Sequence, residues 1–175
     1  SPRYWSAQLE DVESKCRREV QVIAAACREQ GIKFTDSDFA PGKKSLFVNG
    51  EKPAPSRKMP SELSWRRASD LVLAGGAAPG EIAEDSRFRA GAMDDTAFLG
   101  AVALLRAAQR SPEELIVHHD PGAGVVGVRL FKDGEWSYEV VDDWLPCGDD
   151  GGLACGQSTA PSEVWLALLE KANAK

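Results

Sequence analysis

The stretch from Val125 to Val141 constrains the fold more than any other part of the chain. Val125 to Phe131 and Glu135 to Val141 are two β-prone runs flanking Lys132-Asp133-Gly134. An Asp-Gly pair accepts the positive φ angles that a tight hairpin turn demands. The segment therefore reads as two antiparallel strands, with Trp136 packing against neighbouring apolar side chains.

Helices frame this hairpin. Leu9, Val12, Cys16, Val20, Ile23 and Cys27 recur at spacings of three and four, and Gly31 follows, which predicts an amphipathic helix over residues 6 to 30 docked on a core. At Asp94-Asp95 two acidic capping residues precede the stripe Phe98, Leu99, Val102 and Leu105, predicting a central buried helix that starts near Thr96. A shorter helical piece is expected from Pro112 to Val117. Pro161-Ser162-Glu163 should open a final helix with the stripe Trp165, Leu168, Leu169 and Ala172. From Phe34 to Gly91 the chain is dense in Pro, Gly, Ser and Asp, and only Ser45 to Val48 and Trp65 to Leu73 look ordered. A stretch of this length must wrap over a scaffold.

Composition narrows the classes of partner. At 175 residues with 43% hydrophobic and 27% charged residues, the chain is long enough to bury a core and too balanced to be disordered or fibrous. Its apolar stretches, such as Phe98 to Leu105, fall far short of the roughly 20 residues that cross a bilayer. A net charge of −6 argues against nucleic acid, whose phosphates call for clustered Lys and Arg. The start, Ser1-Pro2-Arg3, lacks an initiator Met and a signal-peptide core, so the chain reads as a fragment or processed product. Cys16, Cys27, Cys147 and Cys155 form no C-x-x-C pair and are expected to be reduced packing residues in a reducing compartment.

Three local patterns suggest chemistry. Gly122 to Gly127 matches G-x-G-x-x-G, with Asp142 twenty residues beyond the first glycine. The glycines lead into a hairpin strand, whereas a dinucleotide site needs them between a strand and a helix. His118-His119-Asp120 has no i, i+4 partner and no nearby Cys, which favours a solvent-facing loop over a metal or acid/base site. Asp142-Asp143 and Asp149-Asp150-Gly151-Gly152 lack EF-hand spacing and read as turn and capping residues rather than calcium ligands.

Several segments together resemble the first lobe of the calpain protease core. Phe34-Thr35-Asp36-Ser37-Asp38-Phe39, followed by Ser45-Leu46-Phe47, is similar to the family's F-x-D-x-D-F-P…S-L-[FY], and Trp65-Arg66-Arg67-Ala68 to its W-x-R-P. Asp133-Gly134-Glu135-Trp136 through Val140-Val141-Asp142-Asp143-Trp144-Leu145-Pro146 resembles G-E-W-x-x-V-x-V-D-D-x-L-P. Glu163 to Ala172 resembles E-F-W-x-x-L-L-E-K-A. The order is consistent over roughly residues 34 to 175. The resemblance implies an α+β fold, the first lobe of a papain-like core, with a central helix, flanking helices and an antiparallel hairpin. It divides the chain into an N-terminal amphipathic helix over 1–33 and a degenerate lobe over 34–175.

The departures bear on function. Where calpains carry Q-G-x-L-G-D-C-W-F-L-A-A, this chain has Ala90-Gly91-Ala92-Met93-Asp94-Asp95-Thr96-Ala97-Phe98-Leu99-Gly100-Ala101. Thr96 stands at the nucleophile position and Ala90 at that of the oxyanion-binding glutamine. A hydroxyl gains nothing comparable to the thiolate that a helix N-terminus and a histidine stabilise, and loss of one oxyanion donor costs about 2.7–4 kcal/mol. The family's His and Asn belong to the second lobe, which the resemblance places past Lys175. Calpain cores also bind calcium in each lobe; Glu163 matches one ligand, while Arg87 or Arg89 stands where an acidic one is expected. No calcium site, or a weak one involving Glu163, is the expectation, and no other cofactor.

These features predict a non-catalytic calpain-like module with protein partners, either a second calpain-like lobe or a cytoskeletal assembly, and with no nucleic acid and no membrane span. The resemblance implies a cytoplasmic setting, cytoskeletal or flagellar. The alternative is part of a calcium-dependent cysteine endopeptidase completed by a second lobe; a third reading is a calcium-responsive binding module.

Overall fold

The computed structural model describes residues 2–46, 62–73, 88–92, 96–158 and 164–175. In chain order these form α1 (Pro2–Gln30), a 3-10 turn at Lys43–Ser45, β1 (Ser64–Arg67), α2 (Ala68–Leu73), β2 (Phe88–Arg89) and α3 (Thr96–Ala107). There follow a 3-10 turn at Pro112–Leu115, β3 (Ile116–Asp120), β4 (Val125–Lys132), β5 (Glu135–Asp142), β6 (Trp144–Cys147), β7 (Gln157–Ser158) and α4 (Trp165–Ala174).

The hairpin sits where the alternation places it. β4 and β5 pair antiparallel from Val125↔Asp142 to Lys132↔Glu135. Asp133 and Gly134 hold φ of 53° and 84°, the two positive values of a primed turn whose twist matches the strands. Phe131 and Trp136, directly opposite in the register, meet edge to face with centroids 5.3 Å apart at 70°. A third strand joins on the other side: β3 pairs antiparallel with β4, with a register shift between Ile116 and His118. The helical piece expected from Pro112 to Val117 is thus a single 3-10 turn ending at Leu115. Pairing with Val125–Val128, across the Pro121–Gly124 turn, decides in favour of a strand.

Successive residues of a strand face opposite sides, and the adjacent valines divide accordingly. Val125 and Val140 join Val20, Ala24, Cys27 and Ala123 beneath α1. Val126, Val128, Leu130 and Val141 face the other core, built on Trp165, Leu166, Leu168 and Leu169 of α4. Gly127 lies under α1; a Cβ there would stand 2.5 Å from Cys16 Sγ and 2.8 Å from Val20 Cγ2. α1 extends the expected helix toward the N-terminus and is fixed by polar links as well: Arg129 to Glu13, Arg28 to Asp120, and the Tyr138 hydroxyl donating to Glu19 Oε2 at 2.9 Å.

The helices at the second core differ from expectation in their roles. Trp165 through Ala172 are all buried, so α4, rather than α3, is the central helix; removing one of its leucines to alanine should cost about 2–5 kcal/mol. It starts at Trp165 with Val164 at its cap; Pro161-Ser162-Glu163, expected to open it, lie outside the described residues. α3 buries Leu99 and Val102 and packs Phe98 against the core, while Leu104 is 72% exposed. It is a surface helix because no described element covers its outer side. Two small antiparallel pairs complete the fold: β1 with β6 and β2 with β7. No described helix is long and apolar enough to cross a membrane.

Candidate functional site

Thr96 is the first residue of α3 and is exposed. Its expected caps, Asp94 and Asp95, lie outside the described residues. The segment leading to it is pinned from beneath. β2 pairs with β7 as Phe88↔Ser158 and Arg89↔Gln157, and Ala92 N–H donates to the Ala154 carbonyl at 2.6 Å. Between them, Gly91 lies so close to the Cys155 carbonyl that no side chain fits there. Ala90, half-buried, packs against the apolar core. Ala90 offers a methyl group and Thr96 a hydroxyl, so neither a side-chain amide nor a thiol stands at these two positions.

The charged residues of the quoted motifs meet elsewhere, in a buried ionic hub. Arg67 Nη1 donates to Asp143 Oδ1 at 2.6 Å and to the Phe34 carbonyl at 2.7 Å, and its guanidinium lies 4.4 Å from the Trp144 ring centroid. Lys171 pairs with Asp142 and donates to the Trp144 carbonyl at 2.9 Å. Asp142 also accepts from Asp36 N–H at 2.7 Å and Trp144 N–H at 2.9 Å. Lys175 bridges Asp36 Oδ2 and the Val140 carbonyl, both at 2.8 Å. Glu170 Oε2 accepts from Gly156 N–H at 2.6 Å. Burial draws the Lys171 ammonium below the ordinary lysine range, against the opposing pull of Asp142. Asp142 and Asp143, expected as turn and capping acids, are instead fully buried counter-charges that clamp residues 34–36, β1, β5 and α4 together. The signal was present in the motifs themselves: a cation in W-x-R and in E-K-A, and an acid pair in V-D-D, at core-facing positions.

The remaining candidates are structural too. The glycines of G-x-G-x-x-G serve packing: Gly124 (φ +67°) lies over the hub, where a Cβ would stand 2.8 Å from Asp143 Oδ1 and 2.9 Å from Arg67 Nη1. His118 and His119 are on strand β3 rather than on a solvent-facing loop, because β4 captures that segment. His119 Nε2 is buried and, like Asp143 Oδ2, has no hydrogen-bond partner; burial holds the imidazole below its usual range, with Asp143 and Asp120 opposing. All four cysteines are buried thiols outside any disulfide. Burial pushes the Cys16 thiol up to about 12 and raises that of Cys147, the opposite of what a nucleophile needs.

The calcium site that the resemblance implies can be tested against the residues present. Among the described residues no group of three or more His, Cys, Asp or Glu side chains could hold a metal ion. Glu163 and Arg87 lie outside the described residues. Arg89 puts a cation beside the segment in question, hydrogen-bonded to Gln157.

Comparison with known proteins agrees with the motifs. The profile of the calpain family cysteine protease matches residues 34–175. The chain is 32% identical to the calpain-type cysteine protease DEK1 of Arabidopsis thaliana over 178 residues, covering 95% of the chain and 8% of that relative. It is 34% identical to the calpain-type cysteine protease ADL1 of Oryza sativa subsp. japonica over 81% of the chain and 7% of the relative. With the calpain-1 catalytic subunit of Gallus gallus the identity is 31% over 90% of the chain, which spans 22% of that protein. The chain thus spans under a quarter of the length of each of these relatives. With a family profile over most of its length and an α+β core whose hub is made of the family's motif residues, the chain belongs to the calpain family of cysteine proteases.

Proposed function

We propose that this chain is a non-catalytic calpain-family module that acts through structure or protein interaction in the cytoplasm, in a cytoskeletal or flagellar setting. An N-terminal helix over 1–33 and a lobe over 34–175 are its two parts. One observation carries the reading: the first residue of α3, at the place of the family's nucleophile, is Thr96. A threonine hydroxyl has no thiolate to offer near neutral pH, and an internal threonine lacks the N-terminal amine that serves as its own base in threonine hydrolases. Ala90 supports the same conclusion, since an oxyanion left without its donor forfeits about 10²- to 10³-fold in rate.

The names of the relatives favour a second reading, because each is called a cysteine protease or a catalytic subunit. On that reading the chain is part of a calcium-dependent cysteine endopeptidase completed by a second lobe. A fluorogenic peptide assay in millimolar calcium, run on this chain alone and mixed with a calpain second lobe, separates the two. The first predicts no hydrolysis by this chain; calcium-dependent turnover that a thiol-directed inhibitor blocks would overturn it and direct attention to Cys147 or Cys155.

A further inference from the structure

We propose that Arg89 is a built-in cation that fastens the segment before α3 to the strand before α4, so that this junction is assembled without calcium. The proposal stands whether or not the chain cleaves peptides, since it concerns how the segment is held.

The ladder between these segments is short. β2 and β7 contribute two residues each, too few to fix a register by themselves. Arg89 adds a fork: Nε and Nη2 both donate to Gln157 Oε1, at 3.2 and 2.7 Å. The other end of the same amide, Gln157 Nε2, donates to the Leu153 carbonyl. This fixes which way the amide faces, with its oxygen toward the guanidinium and its nitrogen toward the Leu153 carbonyl. Through one side chain, Arg89 is thereby tied to β7 and to the loop that closes on Cys147↔Leu153.

Among the described residues, the surroundings suit a guanidinium and not a metal. The open groove at this junction is lined by Arg89, Ala90, Gly91, Asp150, Gln157 and neighbouring backbone. Its one described carboxylate is that of Asp150, whose Oδ1 accepts from Gly152 N–H at 2.9 Å. A divalent ion needs six or more oxygen ligands, several of them anionic, and would stand against the positive charge of Arg89. A planar guanidinium needs only an acceptor in its plane, which Gln157 supplies.

Hydrogen exchange on the intact chain tests this, in chelator and in millimolar calcium. The parent chain should show the same protection at residues 88–92 and 154–158 in both conditions. Arg89→Ala should exchange about fivefold faster in those two segments, with no recovery on adding calcium, and Arg89→Lys should fall between, because an ammonium offers a point charge in place of a fork. The amides of the 125–142 hairpin serve as the internal reference and should not change. Slower exchange in calcium by the parent chain would overturn the proposal. So would unchanged exchange in Arg89→Ala, or a loss that extends through the hairpin and so reports global rather than local loosening.

Discussion

Arg67 Nη1 meets Asp143 Oδ1 at 2.6 Å with 9% of the arginine side chain and none of the aspartate side chain reaching solvent. Two charges buried to this degree are held by each other and by further hydrogen bonds, and removing one strands the other. Arg67→Ala should therefore destabilise the domain by about 3–5 kcal/mol, read from the midpoint of urea unfolding. Arg67→Lys should recover only part of this, because a lysine cannot reach Asp143 and the Phe34 carbonyl while stacking on Trp144. A loss below about 1 kcal/mol for Arg67→Ala would place the pair among surface ion pairs instead.

The glycine at 127 carries a second prediction. Its missing side chain lets α1 close on the sheet, so Gly127→Ala should push Cys16 and Val20 outward and cost about 1–3 kcal/mol. Adding Cys16→Ala should return part of the loss, and the double-mutant cycle should show a favourable coupling between the two changes. Additive losses would mean that α1 shifts freely and that the contact does not limit its approach.

How far the sequence predicts this fold depends on the range of the interactions involved. The hairpin and α1 were legible because alternation, the Asp-Gly turn and three-to-four spacing are local signals. β3 was not, since Ile116 to Asp120 becomes a strand only through pairing with β4. β1 likewise owes its form to Trp144–Cys147, roughly 80 positions on, which no local window can reveal. α3 has an apolar stripe as strong as that of α4, yet the number of elements packed around each helix, and so its burial, is a property of the assembled fold. The position of Thr96 at a helix start was legible from the stripe that follows it. The hub was half legible: the motifs name Arg67, Asp142, Asp143 and Lys171, but which cation meets which carboxylate required the fold.

His119 gives the chain an acid sensitivity. Burial lowers its folded-state pKa below the unfolded value of about 6.5. The unfolded chain therefore binds more protons than the folded one in this range, and stability rises with pH there. The contribution is present above about pH 6.5 and is lost as pH falls below it. The melting temperature should drop between about pH 7.5 and pH 5.5, and His119→Gln should flatten that dependence. A parent chain equally stable at both values would show that Asp143 and Asp120 offset the burial.

Thiol reactivity offers a simple readout of the site. With Cys16 and Cys147 raised by burial, and Cys27 and Cys155 also enclosed, an alkylating reagent at neutral pH should leave the native chain unlabelled and modify all four cysteines in denaturant. Thr96→Cys should introduce one thiol that labels rapidly in the native state, being exposed at the first residue of a helix. Rapid native labelling of the parent chain would point to an opening of the core.

Reactivity is not turnover, and the last prediction separates them. Thr96→Cys, alone or with Ala90→Gln, should hydrolyse no fluorogenic peptide even in millimolar calcium. Acylation needs a base within hydrogen-bond reach of the thiol and donors placed at the oxyanion. The chain's two histidines are adjacent on β3, and His119 Nε2 is enclosed. Groups of a catalytic constellation act as a unit, so restoring one or two members to a site that lacks the rest recovers almost none of the rate. The informative comparison is the doubly substituted chain against its alkylated form. Equal, background-level rates support the non-catalytic reading. Calcium-dependent hydrolysis abolished by alkylation would show instead that a base is already in place and that Thr96 and Ala90 together silence it.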